Sequence, residues 1–115
     1  MAYLALIVED VVIKKWEITE EVIILGRTAD CDIQIDDQSV SSKHARLVVE
    51  SDPYLEGVSA TYLEDLRSTN GTELNGRKIE REKLSDNDLI KIGFNQFRYI
   101  TNEKSNLEDT AVIVN

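Results

Sequence analysis

The chain has 115 residues, a formal net charge of −9 and a hydrophobic fraction of 42%, which fit one domain with a modest core. The acidic charge argues against a nucleic-acid binder and against binding to an anionic membrane surface, and no apolar run is long enough to span a bilayer. The single cysteine, Cys31, cannot form an internal disulfide, and residues 1–6 lack the basic n-region of a signal peptide, so none is expected. We therefore expect a protein of the cytoplasm, or of the nucleus in a eukaryote.

Short apolar runs separated by turn residues predict β-strands along most of the chain, and no stretch keeps a 3.6-residue period. The predicted strands lie at residues 3–8, 11–19, 22–25, 33–35, 43–50, 60–66, 73–79 (a hairpin around Asn75-Gly76), 89–92 and 94–100. The alternation in the second strand fails beyond Lys14-Lys15, which indicates a β-bulge. This pattern predicts an all-β sandwich over residues 1–101, followed by a flexible tail or the start of a linker at 102–115.

Two hydroxyl-rich segments are predicted to lie side by side. Strands 43–50 and 60–66 are joined by a connection that carries the only proline, Pro53. If these strands pair antiparallel, the segments before the first strand and after the second meet at the opposite end of the hairpin. This pairing places Ser41-Ser42 beside residues 68–70. Polar loops held by rigid strands commonly form binding sites.

Hydroxyls, backbone N–H groups and an arginine in such loops can bind a phosphate group without a metal ion. The relevant motifs are Gly26-Arg27, Ser41-Ser42-Lys43-His44, residues 65–72 and Leu74-Asn75-Gly76. In this order, over residues 3–101, they resemble the forkhead-associated (FHA) domain. The resemblance implies an 11-stranded β-sandwich of two twisted, largely antiparallel sheets, which recognises phosphothreonine peptides through loops at one end. It implies binding rather than catalysis, no cofactor, and a partner protein phosphorylated by a serine/threonine kinase.

The resemblance also implies a role for individual residues. Arg27 and Ser41 would hold the phosphate. Thr69 would line the pocket for the phosphate and the threonine methyl group, and Asn70 would hydrogen-bond the ligand backbone. His44 would brace the Ser41 loop from behind. The implied peptide-binding set is Arg27, Ser41, Ser42, Lys43, Arg67, Ser68, Thr69 and Asn70, and the implied supporting set is Gly26, His44, Gly71 and Asn75.

Two positions depart from the pattern common in the family. Position 42, often arginine or asparagine, is Ser42, and position 67, often glycine, is Arg67. Arg67 would return the cation that is absent at position 42. The other interpretation is that the substitution weakens phosphopeptide binding.

Other chemistries have less support in the sequence. Ser41 and His44 suggest a nucleophile and its base, but no G-x-S-x-G elbow is present, so His44 is expected to be a structural hydrogen-bonding group. Four aspartates at positions 30, 32, 36 and 37 lack the order of an EF-hand loop and are expected to be turn carboxylates. A phosphate-independent protein-interaction domain remains the main alternative function.

The tail carries a separate hypothesis. Thr110 is followed three positions later by Ile113, and the third position after the phosphothreonine is often selective in ligands of the family. If Thr110 is phosphorylated, the tail could bind a second copy of an otherwise monomeric domain. The alternative is that residues 102–115 are an acidic tail or a linker.

Overall fold

Eleven β-strands make up the fold, and the part of the chain that can be described contains no helix. The computed structural model describes residues 2–101, so the predicted tail and Thr110 lie outside them. The strands are β1 (Ala2–Val8), β2 (Val11–Glu17), β3 (Val22–Gly26), β4 (Ile33–Gln34), β5 (Ala45–Ser51), β6 (Ser59–Asp65), β7 (Thr72–Leu74), β8 (Arg77–Ile79), β9 (Arg81–Lys83), β10 (Leu89–Ile92) and β11 (Asn95–Thr101). Across these residues there is likewise no helix that is long and apolar enough to span a membrane.

The strands form two sheets that pack face to face. The six-stranded sheet has the order β2-β1-β11-β10-β7-β8, and the five-stranded sheet has the order β4-β3-β5-β6-β9. Neighbouring strands are antiparallel except β3 and β4, which are parallel. The predicted 11-stranded, largely antiparallel β-sandwich is confirmed.

The core lies between the sheets because alternate residues of each strand point inward. Leu4 and Phe97 contribute from the six-stranded sheet, and Leu47 and Leu63 from the five-stranded sheet, each with no exposed surface. Burying one such side chain contributes about 1.5–3 kcal/mol. Trp16 packs at the margin of this core, with its ring centroid 6.0 Å from that of Phe97.

Several local predictions are confirmed by the strand registers. Strands β5 and β6 pair along their whole length, from Ala45 opposite Asp65 to Ser51 opposite Ser59. The Asn75-Gly76 turn joins β7 to β8, and both residues have the positive φ of a type I′ hairpin turn. A bulge is present in β2, but it lies at Ile13, before Lys14-Lys15 rather than beyond them, since Lys14 pairs with Leu6 and Val12 pairs with Ile7.

Other predictions were wrong in detail. Strand β9 was missed because its three residues, Arg81–Lys83, are all charged and exposed and show no apolar alternation. It pairs with β6, and the Arg81 side chain also contacts that strand. Phe94 was predicted to start the last strand, but it lies in the β10–β11 turn with 81% of its surface exposed. Strand β4 ends at Gln34, one residue before the predicted end, although the Ile35 N–H still donates to the Gly26 carbonyl oxygen. The other differences are shifts of one or two residues at strand ends.

Candidate functional site

Three loops meet at one end of the sandwich because of how β3, β5 and β6 pair. The β5–β6 register places Ala45 opposite Asp65, so the residues before β5 and after β6 are neighbours. The Leu66 N–H donates to the His44 carbonyl oxygen over 2.9 Å, which extends the pairing one step beyond the strands. The His44 N–H in turn donates to the Leu25 carbonyl oxygen of β3 over 2.9 Å. The predicted neighbourhood of Ser41 and residues 68–70 is confirmed by these contacts.

The Ser41 loop is fixed to the end of β3. The Arg27 N–H donates to the Ser41 carbonyl oxygen over 3.0 Å, and the Arg27 carbonyl oxygen accepts from Gln34 Nε2 over 3.1 Å. Sequence reasoning placed Arg27 at this end only through the family resemblance. The backbone bond now gives a physical reason, because it holds the Cα atoms of Arg27 and Ser41 at neighbouring positions.

His44 is fully buried and joins the two hydroxyl-rich loops. Its Nδ1 accepts from the Ser41 N–H over 3.0 Å, and its Nε2 lies 2.8 Å from the Gly71 carbonyl oxygen. A backbone N–H can only donate, so Nδ1 must be unprotonated and Nε2 must carry the proton donated to Gly71. Because the Nδ1 lone pair receives the backbone N–H of Ser41, it is not directed at the Ser41 hydroxyl. His44 is therefore not oriented to act as the base for the Ser41 hydroxyl.

Asp65 organises the loop that follows β6. Its carboxylate accepts from the Ser68 N–H (3.1 Å), from Ser68 Oγ (2.5 Å) and from Thr72 Oγ1 (2.7 Å). Ser68 Oγ also accepts from the Gly71 N–H over 2.9 Å, so one carboxylate orders the whole turn. Burial raises the pKa of Asp65, but the hydrogen bonds from Ser68 and Thr72 outweigh burial and the net pKa lies below the usual 3.8.

Thr69 and Asn70 connect this turn to the loop before β5. The Thr69 N–H donates to Ser41 Oγ over 3.0 Å, which leaves the Ser41 hydroxyl proton available to a ligand. Asn70 Nδ2 donates to the Ser39 carbonyl oxygen over 2.9 Å. Both residues are exposed, so the groups on their outer side face solvent at the junction of the two loops.

Gly26 permits the close approach of β3 to the Ser41 loop. A Cβ at position 26 would lie 2.1 Å from the Ser42 carbonyl oxygen and 2.8 Å from Cys31 Sγ. The same Ser42 oxygen accepts from Cys31 Sγ and from Thr28 Oγ1, each over 3.2 Å. Backbone at this distance cannot yield as a flexible side chain would, so only glycine fits.

The cations of the site are not equivalent. Arg27 and Arg67 are exposed, and neither forms an ion pair within residues 2–101. Lys43 Nζ instead lies 2.8 Å from Asp30 Oδ2, and this hydrogen bond lowers the pKa of Asp30 to about 2. Arg67 adopts φ 58, a left-handed conformation that glycine adopts without strain, which accounts for glycine being common there. Among the predicted site residues, the positive charge that is free of an ion pair therefore comes from the two arginines.

Of the predicted supporting residues, Asn75 is not brought to this cluster. Its Nδ2 donates to Asp88 Oδ1 over 3.0 Å and its Oδ1 accepts from the Leu89 N–H over 2.9 Å, so it fixes the β7–β8 turn to the start of β10. Gly71 lies within the cluster, at φ +85 and beside the aliphatic part of Lys78.

Sequence reasoning missed two organising residues, Asp65 and Ser39. The three-residue spacing from Asp65 to Ser68 is the signal that could have identified Asp65, because an Asp side chain readily accepts hydrogen bonds from residues two and three positions later. Ser39 carries no comparable signal in the sequence. Three of the four acidic turn residues have local partners: Asp30 the Lys43 amine, Asp32 the Ile24 N–H, and Asp37 the Ser39 N–H and hydroxyl.

A cleft of about 390 Å³ adjoins Asn70. It runs from the Asn70-Gly71 turn to the β10–β11 turn, and it is lined by Ser39, Asn70, Gly71, Glu73, Lys78, Lys91, Gly93 and Phe94. The lining combines two lysines with the exposed Phe94 ring. A chain that crosses Asn70 would therefore meet both positive charge and apolar surface in this cleft.

Comparisons with known proteins agree with this geometry. The model of the FHA domain family matches residues 23–93. The glycogen accumulation regulator GarA of Mycobacterium tuberculosis is 30% identical over 84 residues, which are 73% of this chain and 48% of GarA. The chain spans about half, or less, of the length of the curated relatives that it matches.

Solved structures share the fold at similar identity. A domain from a structural and functional analysis of phosphothreonine-dependent FHA domain interactions is 27% identical, with a TM-score of 0.71 over 87% of this chain and 95% of that one. Mycobacterium tuberculosis EmbR in complex with a low-affinity phosphopeptide is 29% identical, with a TM-score of 0.73 over 86% of this chain and 24% of that one. The family match covers more than half of the chain and every loop of the site. The chain therefore belongs to the FHA domain family.

Proposed function

We propose that this chain is a phosphothreonine-peptide recognition module that mediates phosphorylation-dependent protein–protein interactions. One observation carries the proposal: the exposed Arg27, which has no ion-pair partner within residues 2–101, is held by its backbone against Ser41, whose hydroxyl already receives the Thr69 N–H. We infer that the Arg27 guanidinium and the Ser41 hydroxyl can reach the same phosphate group.

The chemistry of the site suits a phosphate group. Phosphothreonine carries close to two negative charges and three strong acceptor oxygens at neutral pH. Arg27 supplies a charge-assisted, often bidentate donor, and Ser41 Oγ–H supplies a second donor of fixed direction. Each charge-assisted bond contributes about 1.5–3 kcal/mol, and association costs offset much of the sum, so the expected affinity is about micromolar.

The remaining site residues act on other parts of the ligand. Thr69 lines the methyl side of the phosphothreonine, while Asn70 keeps its Oδ1 and second N–H for the peptide backbone. Arg67 supplies a second cation near the loops that lack an arginine at position 42. The cleft beyond Asn70, with Lys78, Lys91 and Phe94, accommodates ligand residues that flank the phosphothreonine.

The recognition domain comprises residues 1–101, and the segment 102–115 is a tail or the beginning of a linker. The partner is a protein that a serine/threonine kinase has modified. The proposed role of the domain is binding rather than catalysis, and His44 Nδ1 accepts the Ser41 N–H rather than the Ser41 hydroxyl. Phosphorylation of Thr110 would make the tail itself a candidate ligand for another copy.

The experiment is a calorimetric titration of matched peptides that carry phosphothreonine, phosphoserine or unmodified threonine, drawn from a degenerate phosphopeptide library. We expect binding to the phosphothreonine peptides alone, and a loss of roughly 10- to 100-fold in the Arg27→Ala variant. Arg77→Ala is the matched control, since Arg77 is equally exposed but lies beside the β7–β8 turn, away from the site. Equal affinity for phosphorylated and unmodified peptides would instead support the phosphate-independent interaction domain.

A further inference from the structure

The β1–β2 hairpin exposes four large apolar side chains that play no part in the proposed phosphopeptide site. Val8, Val11, Val12 and Ile13 keep 51%, 57%, 52% and 58% of their surface exposed. Strand β2 is the terminal strand of the six-stranded sheet, and its outer edge pairs with no strand of residues 2–101. An apolar edge strand with unpaired backbone groups is a template for pairing with another strand.

The sequence of this edge is complementary to itself. Residues 9–15 read Glu-Asp-Val-Val-Ile-Lys-Lys, with an acidic pair, three β-branched residues and a basic pair. Two copies aligned antiparallel about Val12 place unlike charges opposite each other at both ends and apolar residues opposite each other in the middle. Within the strands, Val12 faces Val12 and Val11 faces the bulge residue Ile13. At each end, the turn residues Asp10 and Glu9, which precede β2, come beside Lys14 and Lys15 of the other copy.

Other registers lose this match. If the two strands are instead aligned about Ile13, Glu9 lies opposite Glu17 and Lys15 lies opposite Val11. Opposite charges that face each other stabilise a strand pair and like charges destabilise it. The charge pattern therefore favours a single register centred on Val12.

The four charged side chains have no partner of opposite charge within the domain. None of Glu9, Asp10, Lys14 or Lys15 forms an ion pair with another of residues 2–101. The two lysines instead lie over aromatic rings of their own chain, with Lys14 Nζ 5.1 Å from the Trp16 centroid and Lys15 Nζ 5.0 Å from the Tyr3 centroid. Their positive charges remain available to carboxylates of another molecule.

We propose that the outer edge of β2 is a homodimer interface, occupied by β2 of a second copy in antiparallel register about Val12. The arrangement is isologous, so the same residues serve both copies and the assembly closes at two. It joins two six-stranded sheets into one continuous sheet. The paired stretch is short, which places the interface in the weak class below about 1,200 Å² and makes the dimer dependent on concentration.

The β2 bulge and the lysines admit a competing interpretation. Bulges and edge lysines are also devices that keep an edge strand from pairing. Protection, however, needs only charge of one sign, whereas this edge carries acidic and basic pairs placed symmetrically about an apolar centre. The two interpretations predict opposite behaviour in solution.

The dimer would fix the relative orientation of the two peptide-binding sites. This consequence rests on the proposed function. Asn95 Nδ2 donates to Asp37 Oδ2 over 3.1 Å, so the β10–β11 turn contacts the loop before β5. The β1 register, with Ile7 opposite Gln96, places the Glu9-Asp10 tip at that same end. Because the two β2 strands run in opposite directions, the two peptide-binding ends would face opposite ways and could connect two phosphorylated partners.

Charge reversal tests the proposal, with molar mass measured by light scattering from about 10 µM to about 1 mM protein at physiological ionic strength. We expect the mass of the wild type to rise from monomer towards dimer. Lys14→Glu/Lys15→Glu alone and Glu9→Lys/Asp10→Lys alone should remain monomers, since like charges then face each other. Mixing the two variants should restore a heterodimer. A monomeric wild type together with no heterodimer in the mixture would overturn the proposal.

A disulfide test avoids the Glu9→Lys and Asp10→Lys substitutions. Those two residues lie in the β1–β2 turn at positive φ, where a substitution could disturb the turn itself. Val12→Cys places two thiols opposite each other at the two-fold axis, and we expect a disulfide-linked dimer under mild oxidation. Val22→Cys, exposed by 43% on the other sheet, is the matched control and should cross-link far less. Equal cross-linking in both variants would contradict the proposal. Neither test involves a phosphopeptide, so failure of the interface and failure of the proposed function are distinguishable.

Discussion

Replacing His44 by phenylalanine should damage both the stability of the fold and the geometry of the binding site. The ring is fully buried, and its two nitrogens serve the Ser41 N–H and the Gly71 carbonyl oxygen. Phenylalanine leaves no cavity but can neither accept nor donate a hydrogen bond. The substitution therefore removes both hydrogen bonds without creating a void, and any over-packing by the larger ring adds to the loss.

The magnitude follows from the two groups left without their partners. A buried backbone group that loses its partner costs about 1–3 kcal/mol, so two such groups predict a loss of about 2–6 kcal/mol in the free energy of unfolding. A domain of this size has only about 5–15 kcal/mol in total. Ser41 and Gly71 belong to different loops, so losing the ring that joins them should also lower phosphopeptide affinity by at least about tenfold.

The assays are urea unfolding and calorimetric titration of a phosphothreonine peptide at a temperature where the variant remains folded. Thr61→Val is the control, since Thr61 is buried and its Oγ1 accepts from Tyr99 Oη over 3.2 Å in a different part of the core. It should lose about 1 kcal/mol of stability and keep its affinity. If His44→Phe unfolds like the wild type, or loses stability while its affinity is unchanged, the histidine does not join the two loops as argued.

Three further predictions concern the same loops. Gly26→Ala places a Cβ 2.1 Å from the Ser42 carbonyl oxygen. The melting temperature should therefore fall by at least about 4 °C in scanning calorimetry, and the peptide affinity should fall with it in titration. Ser41→Ala removes one phosphate donor and the acceptor of the Thr69 N–H. Its affinity should fall by about tenfold with little change in stability, and unchanged affinity in fluorescence titration would exclude a direct role. The folded-state pKa of Asp65 lies below its unfolded value, so its contribution to stability is present above about pH 4 and is lost as the pH falls through the folded pKa. In urea unfolding at several pH values, the stability difference between the wild type and Asp65→Asn should shrink across that window, and a difference independent of pH would refute the role of the carboxylate.

Local patterns in the sequence were sufficient for most of the fold. Alternation of apolar residues predicted most of the strands, and the Asn75-Gly76 pair predicted its own turn because only a few residues tolerate two successive positive φ values. The pattern failed where apolar alternation is absent. Strand β9 consists of three exposed charged residues, and Phe94 resembles a strand residue although it is exposed in a turn.

The sequence by itself also determined that Ser41 and residues 68–70 would meet, since the pairing of two adjacent strands requires it, and it determined the chemistry those residues can offer. Only the tertiary structure decided how they are held. Asp65 and His44 act through contacts that depend on register and burial. Lys43 is paired with Asp30 from another loop, while Arg27 forms no ion pair with another of residues 2–101. The close approach that requires glycine at position 26 is likewise a property of two packed loops. Periodicity and turn chemistry are local and can be predicted from sequence, whereas contacts between residues distant in the chain are set only when the two sheets pack together.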